Sequence, residues 1–370
     1  QHKWQDQPPE AIPAENQANL EAILARALSL GINHIETARG YGTSEMQLGY
    51  ALGHFPRPSW ILQTKVAPKA DPQAFAADFE KSLHYLQVDQ VDLLAFHGLN
   101  LPEHWAWTRR PGGCLEMARQ WQCQGRVRFI GFSTHGPTDL ITAIINSGEF
   151  DYVNLHWYYI NQRNWPAVEA AAVQDMGVFI ISPSDKGGRL YDPPEKLVNL
   201  CQPLSPMVFN DLFCLSHPQV HTLSLGAARP ADFEEHLRTL PLLDQAANHL
   251  APILRRLDHA GEQALGRPWL ETWDEGLPDY TQVPGEVNIR TILWLYNLVC
   301  SLDLWTFARD RYNLLGQGSH WFPGQRADAL DTLNLNTCLA ASPHREQIPP
   351  RLAQTHQWLT GPAGRRLSHS

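Results

Sequence analysis

Apolar residues recur along the first 240 positions in two alternating rhythms. Stretches where they return every three or four residues, as at Leu20, Ile23, Leu24, Ala27 and Leu28, predict helices. Short apolar-rich runs, such as 91–96 and 178–181, predict strands covered on both faces. In order, the pattern predicts helix 15–30, strand 32–35, helix 44–52, strand 60–64, helix 71–87, strand 91–96, helix 113–124, strand 127–132, helix 137–146, strand 152–155, helix 166–176, strand 178–181, a long helical stretch 195–215, strand 220–225 and helix 230–240. The punctuation agrees, with Gly31 as a helix C-cap, Ser44 as an N-cap and Pro72 in a first helical turn.

The first four strands end at Glu36, Lys65, His97 and Ser133, in steps of 29, 32 and 36 residues, so each step holds one βα unit. Seven strands are counted, ending near 36, 65, 97, 133, 156, 182 and 226. No G-x-G-x-x-G turn follows any of them. An uninterrupted βα series of this kind predicts an α/β protein built as a (β/α)8 TIM barrel rather than an open doubly wound sheet. The eighth strand is expected upstream of Gln1, because residues 1–14 are polar and Pro-rich with no strand pattern. Beyond about residue 240 the rhythm stops. Helices are expected at 245–257, 289–315 and 348–359, between loops rich in Trp, Pro and Gly. The domain organisation is therefore a barrel over 1–240 and a helical appendage over 241–370.

Composition narrows the partners. The 370-residue chain is 43% hydrophobic, enough for a full core. Its 29 basic and 38 acidic residues give a net charge of -9, which argues against a nucleic-acid or anionic membrane partner. No apolar run is long enough to span a bilayer. Six cysteines without C-x-x-C spacing suit a reducing cytoplasm, and 17 histidines without H-E-x-x-H spacing give no sign of a metal site.

Four polar residues fall at or just past three consecutive strand ends: Glu36, Tyr41, Lys65 and His97. A tyrosine is a poor acid at neutral pH, but an adjacent ammonium favours phenolate. Lys65 supplies that ammonium, Glu36 steadies it, and His97 orients a carbonyl oxygen or assists proton transfer. The set is suited to delivering a proton to a reduced C=O. Trp105, Trp107 and the run His156-Trp157-Tyr158-Tyr159 follow strands and are expected either to line a pocket for an apolar or aromatic carbonyl or to pack in the core and rim.

These residues resemble the aldo/keto reductases. The resemblance rests on Gly31-Ile-Asn-His-Ile-Glu-Thr-Ala-Arg-Gly-Tyr-Gly-Thr-Ser-Glu45, Thr64-Lys65, Ser82-Leu83 through Asp92-Leu-Leu-Ala-Phe-His97, and Ile130-Gly-Phe-Ser133, and it covers roughly residues 15–240. It implies a nicotinamide nucleotide extended across the C-terminal face, hydride delivery to a small-molecule carbonyl, and Tyr41 as proton donor. The family usually has Asp where this chain has Glu36, one methylene longer. Cofactor contacts implied by the resemblance are Ser133 and Asn154 for the nicotinamide carboxamide, with Asn in place of the usual Gln, then Ser182 and Lys186, with Asp185-Lys186-Gly187-Gly188 near the pyrophosphate, and Gly226, Arg229 and Glu235 at the adenosine end. Ile181 stands where many members stack an aromatic ring. Asp232 occupies a commonly basic position and Arg229 offers a substitute, so NADP(H) is favoured over NAD(H). The alternative is a barrel that holds nucleotide as a sensor or regulatory subunit with little turnover. Glu36 and Ile181 favour that alternative, whereas Tyr41, Lys65 and His97 favour the enzyme.

The appendage resembles the C-terminal ferredoxin-like module that a subgroup of these reductases carries, with two C-x-x-C-x-x-C-x-x-x-C-P runs. The equivalent stretches, 273–284 and 332–343, place Trp273, Gly276, Asp279 and Val283, then Thr332, Leu335, Cys338 and Ser342, at the ligand positions. One position in eight is Cys, so no iron–sulfur cluster is expected.

Overall fold

The computed structural model describes residues 8–318 and 322–361. Part of the polar N-terminal stretch, residues 1–7, lies outside them. The described residues hold seven strands: β1 (His34–Glu36), β2 (Ile61–Val66), β3 (Val91–His97), β4 (Val127–Ser133), β5 (Tyr152–Leu155), β6 (Gly177–Ile181) and β7 (Thr222–Ser224). All pair in parallel and in sequence order. The sheet curls until β7 faces β1, for the Ser224 hydroxyl donates to Glu36 across the gap at 2.6 Å. The architecture is a nearly closed parallel barrel of α/β class.

Helices α1 (Ala14–Ser29), α2 (Ser44–Leu52), α3 (Pro72–Leu86), α4 (Pro102–Arg109), α5 (Cys114–Cys123), α6 (Thr138–Ile145) and α7 (Trp165–Val173) connect the early strands. Leu94 and Phe96 of β3 point outward into this layer, where Phe96 stacks on Phe75 at 5.2 Å and Trp121 covers Phe79 at 4.2 Å. The alternate residues of the same strand, Leu93 and Ala95, point inward and pack with Tyr152 and Phe179. That is the period-2 alternation of a strand with two covered faces. Gly131 is needed here because a Cβ on it would lie 2.6 Å from the Tyr152 ring.

The chain continues through α8 (Pro183–Lys186), α9 (Glu195–Cys201), α10 (Pro206–Leu215) and α11 (Phe233–Leu237) to α12 (Ala246–Leu265), α13 (Arg267–Thr272), α14 (Ile289–Leu302), α15 (Trp305–Tyr312) and α16 (Ile348–Leu359). It divides into two compact units: 1–183 with 210–243, and 184–209 with 244–370. Within the second unit, α14 is the buried centre, against which α12, α15 and α16 pack. The Trp269 indole donates to Asn297 of α14 at 2.7 Å, and the Arg351 guanidinium lies 3.4 Å over the Trp269 ring. Asp310 and Arg311 of α15 pair with Arg189 and Asp185 at 2.7 and 2.8 Å, which ties segment 184–209 to this unit.

Several expected elements differ. The helical stretch 195–215 is two helices, because Pro203 and Pro206 each remove a backbone donor. The stretch 289–315 breaks at Asp303, whose φ of 57° ends α14 in the left-handed region that short polar side chains tolerate. Helix 230–240 is a 3-10 turn over Pro230–Asp232 followed by the short α11. Helix α4 was not anticipated. The residue capping α2 is Thr43 rather than Ser44, and the Ser44 hydroxyl is hydrogen-bonded to Thr37 at 2.9 Å.

Filling the space under Tyr152 tests the inward packing. Gly131→Ala is expected to lower the unfolding free energy by about 1–3 kcal/mol in denaturant titration. An unchanged midpoint would show that the ring has room to move.

Candidate active site

The chemistry is assembled by β1 and β2, which lie side by side in register. Hydrogen bonding continues past the end of β1: the backbone N–H of Thr37 donates to Gln63 and that of Arg39 to Lys65, each at 2.9 Å. The loop 37–43 is thus laid over the end of β2, with Tyr41 on it. Glu45, buried in the first turn of α2, anchors the far side. It accepts from the Thr64 hydroxyl at 2.6 Å and pairs with Arg39 at 3.2 Å. Burial pushes the Glu45 carboxyl above its ordinary value despite these partners.

Lys65 is 1% exposed. Its ammonium meets Glu36 Oε1 at 2.7 Å, donates to the Thr37 carbonyl at 2.8 Å and lies 4.8 Å from the centre of the Tyr41 ring. Burial works against the charge, but Glu36 and then the Tyr41 side chain more than offset it, so Lys65 is held above its ordinary value. The same balance acts on Glu36, where burial is outweighed by Lys65 and the Ser224 hydroxyl, leaving the carboxyl below its ordinary value. The His97 ring stands edge-on to Tyr41, with centroids 5.5 Å apart at 87°. Tyr41 itself is 40% exposed, so the phenol faces outward from a buried charge pair. The structure brings together Glu36, Tyr41, Lys65 and His97.

The residues named for a cofactor are spread more widely. Ser133, at the end of β4, accepts from the Gly98 N–H at 3.1 Å through its side chain and at 3.0 Å through its carbonyl. It therefore ties the loop after His97 to β4. Asn154 is fully buried inside the barrel. Its Nδ2 donates to Glu36 Oε2 at 3.0 Å, and its Oδ1 accepts from Gln63 Nε2 at 2.8 Å. Ser182 follows β6 in a left-handed conformation with φ of 52°. Gly226 and Arg229 are exposed. Arg229 is engaged by Asp232 at 3.1 Å, and Glu235 pairs with Arg238 at 3.1 Å. Lys186 belongs to the other compact unit.

Of the aromatic residues weighed as pocket walls, Trp157 and Tyr158 are core instead. Trp157 stacks on Phe213 at 5.0 Å, and the Tyr158 hydroxyl donates to the Ile181 carbonyl. His156 is buried between the Tyr158 hydroxyl and His135, 2.5 Å from each. Trp105 rests on Phe150 at 5.9 Å and Trp107 on His104 at 5.4 Å. A groove of about 1030 Å³ lies at the other end of the strands, lined by Met46, Tyr50 and Tyr85 and by Asp89 and Arg126, which precede β3 and β4.

Sequence reading missed Thr37 and Ser224 as partners of the Lys65–Glu36 pair, Gln63 as the partner of Asn154, and Thr64 with Arg39 as partners of Glu45. Two signals were present. Gln63 interrupts an apolar strand two residues before Lys65, on the same face, and Ser224 sits in the expected last strand. Among the described residues no group of three His, Cys, Asp or Glu is placed to hold a metal ion, and no helix is long and apolar enough to cross a membrane.

A lysine–carboxylate–tyrosine–histidine group at parallel strand ends invites comparison with known proteins. Residues 4–177 match the Aldo/keto reductase family. Glu36, Tyr41, Lys65, His97, Ser133 and Asn154 fall within that match, while Ser182, Lys186, Gly226, Arg229 and Glu235 lie beyond it. An aldo-keto reductase of Mycolicibacterium smegmatis is 32% identical over 145 residues, which is 38% of this chain and 50% of that protein. The NADH-specific methylglyoxal reductase of Escherichia coli is 24% identical over 196 residues, 47% of this chain and 58% of that protein. The chain thus spans about half the length of the curated relatives it matches. Among solved structures, the aldo-keto reductase of Bacillus halodurans in its holo form superposes with a TM-score of 0.54 at 20% identity, covering 64% of this chain and 87% of that one. This likeness shows the aldo/keto reductase fold.

The electrostatics of this site give a stability test with a definite sign. Because Glu36 is held below its ordinary value of 4.5, its contribution is present above that pH and is lost as pH falls through the folded value. Glu36→Gln leaves Lys65 buried without its counter-charge and is expected to cost about 3 kcal/mol at neutral pH. The gap between wild type and variant should narrow below pH 4.5 in urea titrations. A gap that stays constant with pH would remove the ion pair as its source.

Proposed function

We propose that the chain is an NAD(P)H-dependent oxidoreductase that reduces the carbonyl of a small molecule, with Tyr41 as the proton donor. One observation carries this reading: the Lys65 ammonium sits 4.8 Å from the Tyr41 ring while bound to Glu36 at 2.7 Å. A positive charge fixed behind a half-exposed phenol favours loss of the phenolic proton to an oxygen arriving from outside. When bound, the nicotinamide supplies the hydride. The chain's own residues do the rest. Tyr41 hands its proton to the oxygen on which negative charge develops, Lys65 and the Thr37 carbonyl keep the charge in place, and His97 positions that oxygen from beside the Tyr41 ring. The exposed Tyr41 is then reprotonated from solvent.

The family match and the reductase names of the relatives support this reading, and the names point to small aldehydes and their relatives as substrates. The residues present fit a dinucleotide in part. Gly226 leaves open space where a Cβ would stand, and Arg229 is an exposed cation at the proposed adenosine end. Ser133 is the residue we assign to the carboxamide. For the second unit we propose a kinship with ferredoxin-like modules, without a cluster. In its support, Gly276 of the first equivalent stretch abuts the Ala341 carbonyl of the second, where a Cβ would come within 2.3 Å.

Oxidation of NADH and NADPH followed by absorbance with a panel of small aldehydes and ketones tests the activity. Tyr41→Phe is expected to lower kcat by at least about a hundredfold while retaining dinucleotide binding. Equal rates in the two proteins would end this reading. Arg229 is assigned to the 2′-phosphate that distinguishes the two dinucleotides. Arg229→Ala should raise KM for NADPH about tenfold and leave KM for NADH in place; a parallel rise for both would place the guanidinium elsewhere.

A further inference from the structure

Inside the barrel, four side chains from three strands join end to end. His34 Nε2 lies 2.9 Å from Gln63 Oε1, Gln63 Nε2 donates to Asn154 Oδ1 at 2.8 Å, and Asn154 Nδ2 donates to Glu36 Oε2 at 3.0 Å. The row runs from the first residue of β1, on β2 and β5, back to the last residue of β1. Gln63 and Asn154 are fully buried.

Valence fixes the direction of every bond in the row. Glu36, ion-paired to Lys65, is a carboxylate and can only accept. Asn154 must therefore turn its amide nitrogen to Glu36 and its oxygen to Gln63. Gln63 must then turn its nitrogen to Asn154, which leaves its oxygen facing the imidazole. An oxygen acceptor requires His34 to present Nε2–H. A charge at one end of β1 thus selects the tautomer of a histidine at the other end of that strand, and aligned donors of this kind polarise one another.

Resting on the functional reading above, we propose that Asn154, Gln63 and His34 are positioning residues: a row of aligned N–H donors that holds Glu36 aimed at Lys65, and through it the ammonium in place beside Tyr41. Ser224, which donates to the same Glu36 oxygen at 2.6 Å, supports the row from β7. The arrangement gives Asn154 a task inside the barrel instead of on the nicotinamide. It also accounts for the longer Glu36: with one oxygen on Lys65 and the other on Asn154 and Ser224, the carboxylate spans from β2 to β5 and β7.

Two readouts test it. The titratable groups facing the row are Lys65 and Tyr152 around Glu36, and Lys65 and Asp92 around His34. Nitrogen-15 NMR of histidine-labelled protein, with the His34 signal assigned by its loss in His34→Gln, should show the Nε2–H tautomer in the wild type and lose that preference in Gln63→Met and Asn154→Leu. The acid limb of the pH profile of kcat/KM should move up by about one pH unit in Asn154→Leu, by less in Gln63→Met, and should return in Asn154→Gln. An Nδ1–H tautomer or a charged His34 at neutral pH in the wild type, or an unmoved limb in folded Asn154→Leu, would overturn the proposal. The tautomer readout needs no turnover, so a wild type that reduces no carbonyl would sink the function and leave the NMR to decide the row.

Discussion

A lysine ammonium enclosed at 1% exposure is the constraint on which the site depends. Taking such a charge out of water costs several kcal/mol, and only close, complementary partners offset it. Glu36, the Thr37 carbonyl and the face of Tyr41 are those partners, and each comes from β1 or the loop that follows it. The charge on β2 thereby dictates the path of the neighbouring loop. Were the loop to lift away, Lys65 would lose a hydrogen bond and an aromatic face, and Glu36 alone would have to compensate.

The rest of the barrel mouth is arranged around that pair by ordinary backbone and side-chain bonds. Thr64 and Arg39 seat Glu45, which fixes the start of α2 beyond the tyrosine loop. Ser133 captures the loop after His97, and the Thr134 hydroxyl reaches the Leu99 carbonyl at 2.8 Å, so the β3 and β4 loops are joined. Below them, Tyr152 lies on Gly131 and against Phe179 and closes the interior with apolar surface. Gln63, Asn154 and Glu36 are tolerated in this interior because each finds a partner across the barrel.

The second unit is organised by different physics. Its centre is the apolar helix α14, and guanidinium groups stitch the elements around it: Arg351 on Trp269, Arg189 on Asp310, Arg311 on Asp185. Segments 273–284 and 332–343 meet through Gly276 and Ala341 as backbone against backbone. Cys338 donates its thiol to the Leu335 carbonyl at 3.3 Å, a weak local bond.

By itself the sequence determined the seven strands, their order and parallel direction, and the four side chains at consecutive strand ends. Those follow from local periodicity and from the fact that a strand's last residue faces the same end of a parallel sheet every time. The extents of helices 195–215 and 289–315 were misjudged where prolines and a left-handed Asp303 interrupt an otherwise apolar rhythm. Only the tertiary structure decided that Asn154 serves Glu36, that Ser224 reaches back to the first strand, and that Trp157 and Tyr158 are core. Each of these depends on which strands face one another across the barrel. That distance is set by closure of the sheet, and no spacing along the chain records it.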